Sequence, residues 1–324
     1  MPNNDNKEPR QLPIFALASH PERQPAIPGQ AGKTARNTAF SDIDLNRWKD
    51  YDEVLTGSLW ILGERDRSGP HRGDYWGNFV PQIPRQVLLR FTKAGEIVVD
   101  LFSGMGTTLI ECRRMGRHGI GVELNPEVAE ASRERIAKAG NEHQVISEVI
   151  IGDSSSIETI NMVRQRLLAL GQTQVHCAIL HPPYHNIIAF SDDRRDLSGC
   201  ASLDEFLGRF SIVVAHGVEL LAPGRFLALV IGDIYANSEW IPLGFECMQV
   251  CRQAGLRLKA INVKEMRGNE RGKGVNENLW KYRALVAGTY LFKHEYVMIF
   301  QKDSARKGSL VEKKRSSAER PTLS

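Results

Sequence analysis

The chain has 324 residues, 42% hydrophobic and 25% charged, with 42 Lys and Arg against 38 Asp and Glu for a formal net charge of +4. That is enough apolar content for a full buried core, as one large domain or one domain with an appended lobe, while the charge balance is too slight to establish nucleic-acid binding by itself. No apolar stretch exceeds strand length, so no transmembrane span is expected, and Met1-Pro2-Asn3-Asn4-Asp5 carries no signal-peptide pattern. Cys112, Cys177, Cys200, Cys247 and Cys251 are odd in number and lack zinc spacing, which fits reduced thiols in a cytoplasmic protein.

In chain order, residues 1–38 are rich in Pro, Asn, Gln and Ala without apolar period and read as a disordered tail. Residues 39–80 hold Trp48, Tyr51, Leu55, Leu59, Trp60, Ile61, Leu62 and Trp76, an aromatic, partly helical segment expected to pack on the main domain or line its substrate groove. The main domain spans 81–303, and 304–324 form a second tail of Ser, Lys, Arg and Glu. Within the domain a helix is expected over Gln86–Thr92, then a buried strand Ile97–Asp100, a glycine loop, and a helix from Thr107 to about Met115. Further strands are expected at Gly119–Leu124, Glu148–Ile151, Cys177–Leu180, Phe226–Ile231, Leu256–Val263 and Tyr296–Phe300. Helices Pro126–Ala139, Leu203–Leu221 and Leu243–Ala254 fall between them. Such alternation predicts an α/β fold, a doubly wound seven-stranded Rossmann-like sheet, and the closeness of the last two strands predicts an antiparallel edge strand.

Acids at the strand ends distinguish the ligand. A dinucleotide enzyme places a pyrophosphate on the glycine loop, and Asp100 just before Gly104 and Gly106 would repel it. S-adenosylmethionine carries a sulfonium and an ammonium and no phosphate, so acidic strand ends suit it. Glu123 closes the second strand, where a carboxylate can accept both hydroxyls of a ribose, and Asp153 closes the third, within reach of an adenine amino group. Read singly, each acid could equally be a solvated turn residue or a helix cap.

Asp100-Leu101-Phe102-Ser103-Gly104-Met105-Gly106-Thr107-Thr108, followed by His181-Pro182-Pro183-Tyr184, resembles the DNA amino-methyltransferases that make N6-methyladenine or N4-methylcytosine, with the cofactor motif before the catalytic one. The resemblance runs from about Gly77 to Lys302. It takes in Ile187-Ile188, Ser191-Asp192-Asp193, Arg195-Asp196-Leu197-Ser198, Pro223-Gly224-Arg225, Val230-Ile231-Gly232-Asp233 and Glu295-Tyr296-Val297-Met298-Ile299-Phe300. It implies a methyltransferase sheet with small recognition insertions and S-adenosylmethionine as cofactor. Asp100 and the loop residues Phe102, Ser103, Gly104, Gly106 and Thr107 would hold its methionine part, Glu123 its ribose and Asp153 its adenine. Pro81, Pro84 and the following helix would close over the methionine end.

The family tetrapeptide begins with Asp, Asn or Ser; here it begins with His181. By the resemblance, the side chain at this position and the Pro182 carbonyl accept the two hydrogens of the target amine, Pro182 and Pro183 stiffen the loop, and Tyr184 stacks on a flipped base. A neutral imidazole can accept one hydrogen bond and a protonated one none, so activity is expected to fall on the acid side of the His181 titration. Between Arg257 and Arg283 eight basic residues face three acidic ones, and a basic recognition loop is expected over about 262–290, with Arg267, Arg271 and Lys273 touching double-stranded DNA. A homodimer and a cognate restriction endonuclease are partners the resemblance leaves open. The alternatives are methylation of RNA or of a protein glutamine, or a catalytically silent DNA-binding relative.

Overall fold

The computed structural model describes residues 36–75, 77–184, 191, 193–236, 239–266 and 277–304, with the side chains of 277–280 outside the description. Both expected tails fall almost wholly outside the described residues, as does Trp76.

Among the described residues ten strands, β1 (Leu59–Trp60), β2 (Ile97–Asp100), β3 (His118–Glu123), β4 (Ser147–Ile151), β5 (Val175–Leu180), β6 (Leu221–Ile231), β7 (Ile234–Ala236), β8 (Glu239–Ile241), β9 (Leu256–Glu265) and β10 (His294–Lys302), alternate with seven α-helices. The helices are α1 (Gln82–Phe91), α2 (Thr107–Arg114), α3 (Pro126–Ala137), α4 (Ile157–Ala169), α5 (Leu203–Leu220), α6 (Leu243–Gln253) and α7 (Glu277–Ala287). Eight strands form one sheet in the order β1-β9-β10-β6-β5-β2-β3-β4, and β7 pairs with β8 separately. The order reverses beside β2, where β5 lies on one side and β3 on the other, both parallel to it. Crevices at such a reversal are where open α/β sheets take ligands.

Central strands read as continuous apolar runs because both faces are covered. Ile97 and Val99 of β2 point into a core with Phe206 and Phe210 of α5 and Val163 of α4. Val98, between them, joins the opposite core with Ile83 and Val87 of α1 and Trp60. Local signals set the helix starts. Asn125 caps α3 by accepting from Glu127 N and Val128 N, with Pro126 at the first helical position, and Ser156 caps α4.

All seven expected strands are present, and four features differ. The antiparallel strand β10 lies one place inside the edge, between β9 and β6. An eighth strand, β1, extends that edge by pairing in parallel with β9 through Leu59↔Val263 and Trp60↔Lys264. Two residues are too few to show a period in sequence, and this pairing exists only because β9 is there to receive it. Helix α7 occupies the second half of the stretch read as a basic loop. Helix α1 starts at Gln82 rather than Gln86, with Pro84 inside its first turn, where a missing N–H costs no hydrogen bond.

Candidate active site

The carboxyl ends of β2, β3, β4 and β5 open onto one cavity of about 640 Å3, whose lining includes Phe102, Gly104, Glu123, Asp153 and the whole tetrapeptide His181–Tyr184. Four stretches far apart in sequence thus meet in one place. The remaining loop residues singled out from the sequence, Asp100, Ser103, Gly106 and Thr107, are buried and do not line the cavity.

Asp100 is 1% exposed. Its Oδ1 accepts from Phe102 N at 3.0 Å and its Oδ2 from Thr108 Oγ1 at 2.6 Å, tying the loop to the first turn of α2. Ser103 N donates to Val122 O at 2.9 Å, and Gly121 makes room for the Ser103 side chain, since a Cβ there would come within 2.8 Å of Ser103 Cβ. Gly106 takes φ +77° against α3, and Thr107 Oγ1 donates to Asn78 Oδ1 at 2.6 Å, binding the segment before α1 to the loop. Asp100 is expected from the sequence to hold the methionine part of a cofactor; in the structure it is buried and bonded to the loop backbone and to Thr108.

Burial raises the Asp100 pKa from 3.8 to about 6, against the pull of its two hydrogen bonds and with a further upward push from Glu123. The native state therefore holds this proton more tightly than the unfolded chain. The stability it contributes is full below about pH 4 and is lost as pH rises through about 6. Asp100→Asn keeps an acceptor for Phe102 N, meets Thr108 Oγ1 with an amide donor in place of the second acceptor, and removes that titration. Urea unfolding is expected to show the variant gaining on the parent by on the order of 2–3 kcal/mol between pH 4 and 7; a constant difference across that range would contradict the assignment.

Glu123 spends one lone pair of each oxygen on the backbone, accepting from Gly104 N and Asn125 N at 2.9 Å. A second lone pair on each remains for a ligand. Burial pushes its pKa up. Asp153 accepts from Ser155 N and Ser155 Oγ through Oδ1, both at 2.8 Å. Tyr75, from the segment before α1, also lines the cavity, and burial with Glu123 and Asp196 nearby pushes its hydroxyl up to about 12, so it stays protonated. Two acceptor carboxylates at adjacent strand ends and a glycine backbone at the loop suit a cationic nucleoside ligand and disfavour a pyrophosphate.

At the end of β5, His181 packs edge-on to Phe79 at 4.8 Å between centroids and to Tyr184 at 6.0 Å. Its ring is half-buried and its exposure is to the cavity it lines. Burial lowers its pKa to about 4, with Glu295 pulling upward and Lys264 downward. This corrects the expected pH behaviour: an ordinary imidazole would protonate in the middle of the physiological range, whereas here the neutral, accepting form persists to about pH 4. Tyr184 donates its hydroxyl to Glu295 Oε2 at 3.2 Å, and burial raises its pKa well above the ordinary value.

The 39–80 segment, expected to pack on the main domain or line its groove, does line the cavity, through Glu64, Arg65, Tyr75, Asn78 and Phe79; these residues, and Glu295 from β10, were not assigned to the site from the sequence. No motif marks the former. Arg267, Arg271 and Lys273 lie outside the described residues, as do Ile187, Ile188 and Asp192. Lys264, counted in the basic excess, is 3% exposed and paired with Glu295, so it faces no DNA.

A DNA methylase family model matches residues 20–134, which holds the glycine loop and the Glu123 strand. Over that stretch the chain is similar to DNA amino-methyltransferases. Among methyltransferases of this kind, it is 32% identical over 109 residues to the type II methyltransferase M.MjaII of Methanocaldococcus jannaschii, covering 28% of this chain and 21% of that one. It is 34% identical over 67 residues to M.Cfr9I of Citrobacter freundii, covering 21% and 22%, and 32% identical over 116 residues to M2.DpnII of Streptococcus pneumoniae, covering 34% and 40%. The matched stretches thus span between 21% and 40% of those relatives' lengths. The family-model match stops before His181, so the family tetrapeptide is placed in this chain by its motif and by its position at the end of β5. The cofactor of DNA amino-methyltransferases is S-adenosylmethionine, and the acceptor carboxylates and glycine loop fit it. No described helix is long and apolar enough to cross a membrane.

Proposed function

We propose that this protein is a site-specific DNA methyltransferase that acts on an exocyclic amine of a base flipped out of the duplex, with adenine N6 only slightly ahead of cytosine N4, since the His-led tetrapeptide matches neither the Ser-led cytosine pattern nor the Asp-led adenine one. The observation that carries the reading is that the tetrapeptide and the acid-lined glycine loop face one cavity. Glu123 would hold the ribose, Asp153 the adenine, and the Phe102–Gly104 backbone the methionine part of S-adenosylmethionine. When bound, that cofactor supplies an electrophilic sulfonium methyl.

The protein's work is to make a poor nucleophile attack. An exocyclic amine shares its lone pair with the ring, and two acceptors aimed at its hydrogens draw the nitrogen toward a tetrahedral shape and free the pair. Neutral His181 and the Pro182 carbonyl, both lining the cavity, would serve as these acceptors. The paired prolines hold the carbonyl stiffly and contribute no competing N–H. Tyr184 offers a ring face to the extruded base. With a pKa near 4, His181 orients and polarises rather than storing the proton. Acceleration then comes from preorganised acceptors and proximity.

The test is incubation of the full chain with isotopically labelled S-adenosylmethionine and mixed-sequence duplex DNA, with RNA in parallel, followed by nucleoside mass spectrometry. Labelled N6-methyladenine or N4-methylcytosine supports the reading and names the base. Label confined to RNA, or none despite cofactor binding, overturns it. Glu123→Ala is expected to weaken S-adenosylmethionine binding by about 1–3 kcal/mol, since ribose hydroxyls lose their acceptor. Calorimetry on the folded variant checks this, and an unchanged Kd would count against the assignment.

A further inference from the structure

Glu295 and Lys264 sit directly opposite each other on β10 and β9, with Lys264 Nζ 2.9 Å from Glu295 Oε1. Both are nearly sealed from water, at 6% and 3% exposure, with Trp60 of the edge strand β1 paired alongside Lys264. Desolvating two charges is repaid only when further hydrogen bonds complete the pair, and an apolar pair of equal volume is often no less stable. Stability alone is therefore a weak reason for an ion pair here. The other oxygen of Glu295 supplies a better one, because it receives the Tyr184 hydroxyl. The Tyr184 ring lies on Gly232 so closely that a Cβ there would stand 3.2 Å from Cε2, and His181 meets the same ring edge-on. Gly232 and Glu295 thus restrain the ring at its body and its tip.

We propose that Glu295, held by Lys264, is a positioning residue that fixes the Tyr184 ring for stacking on the target base, and that Lys264 cancels the Glu295 charge beside His181 so that the imidazole stays a neutral acceptor. The proposal rests on the methyl-transfer reading above. Charged or titratable groups around His181 come from every side: Glu295 on β10, Lys264 on β9, Asp233 after β6, Tyr184 on its own loop, and Glu64, Arg65 and Arg67 before α1. The two that act on its imidazole are Glu295, which favours protonation, and Lys264, which opposes it. A carboxylate without its ammonium would keep Tyr184 in place and spoil His181, and an apolar pair would spare His181 and release Tyr184. Only the ion pair does both.

The experiment compares the full-length parent, Lys264→Met, the pair Lys264→Met/Glu295→Leu, and Tyr184→Phe in each background, reading kcat, KM for S-adenosylmethionine, the pH profile and Tm. Lys264→Met is expected to move the acid limb of kcat upward by about one pH unit or more, as an unpaired neighbouring carboxylate does. The pair variant, which keeps the core filled if Lys264→Met alone does not fold, is expected to hold Tm and KM, to leave the acid limb in place, and to lower kcat by about a hundredfold through a misplaced ring. Adding Tyr184→Phe to the pair variant should cost nothing more. A pair variant with parental kcat, or an acid limb that stays put in folded Lys264→Met, would overturn the proposal while leaving the function standing. Absence of transfer by the parent would remove both, and is seen before any variant is compared.

Discussion

His181→Ala is expected to slow methyl transfer by about two to three orders of magnitude, the loss usual when one member of a preorganised hydrogen-bonding set is removed, with S-adenosylmethionine affinity unchanged. The imidazole stands at the end of β5 between Phe79 and Tyr184, while the residues assigned to the cofactor stand at the ends of β2, β3 and β4. Its loss should therefore appear in kcat and leave the Kd measured by calorimetry alone. The pH dependence follows with a definite sign. Burial holds the native pKa near 4, so the neutral acceptor is fully present above about pH 5, and only below that does protonation remove it. The parent is expected to show no acid limb from His181 between pH 5 and 8. His181→Asp, which restores the Asp-led form of the family, should recover much of the rate lost in the alanine variant. An alanine variant as fast as the parent would place the acceptor elsewhere.

Gly106→Ala is expected to destabilise the fold by about 2–4 kcal/mol, the sum of a strained left-handed backbone and an overpacked contact. Gly106 adopts φ +77° at the start of α2, and a Cβ there would run into Ser132 Oγ and stand 2.9 Å from Ile136 Cδ1, both on α3. Neither neighbour can retreat cheaply, because Ser132 is 0% and Ile136 3% exposed. Gly171→Ala is the matched control: its φ is +69°, but nothing lies within 4 Å of its added Cβ. It should show the backbone cost alone, about 1–2 kcal/mol. Urea midpoints for the two variants separate strain from packing, and equal losses would mean that α3 does not press on the loop.

Much of the sheet was legible because a strand buried on both faces must be apolar along its length and must stop where the backbone turns. Ile97–Asp100 before its glycines and Cys177–Leu180 before its prolines are such strands, and both stand where their sequence places them. The tetrapeptide and the acids Glu123 and Asp153 were legible for a related reason: parallel strands deliver their carboxyl ends to one crevice, so residues at those ends must meet. What stayed hidden depends on partners distant in the chain. Leu59–Trp60 is a strand only because β9 runs beside it, and α7 lay unseen inside a stretch read as a basic loop. The same holds for charge. A lysine in a basic run reads as surface, yet Lys264 lies opposite Glu295 in the ladder and is buried with it; an acid before a glycine loop reads as a ligand, yet Asp100 lies beneath that loop. The amino-acid sequence by itself determined the order of the strands along the chain, the acid-lined glycine loop and the His-led tetrapeptide, because each is written in consecutive residues. Tertiary structure alone decided the register of β9 and β10, the anchoring of Tyr184 by Glu295 and the protonation state of His181, because these depend on burial and on charges brought together from opposite ends of the chain.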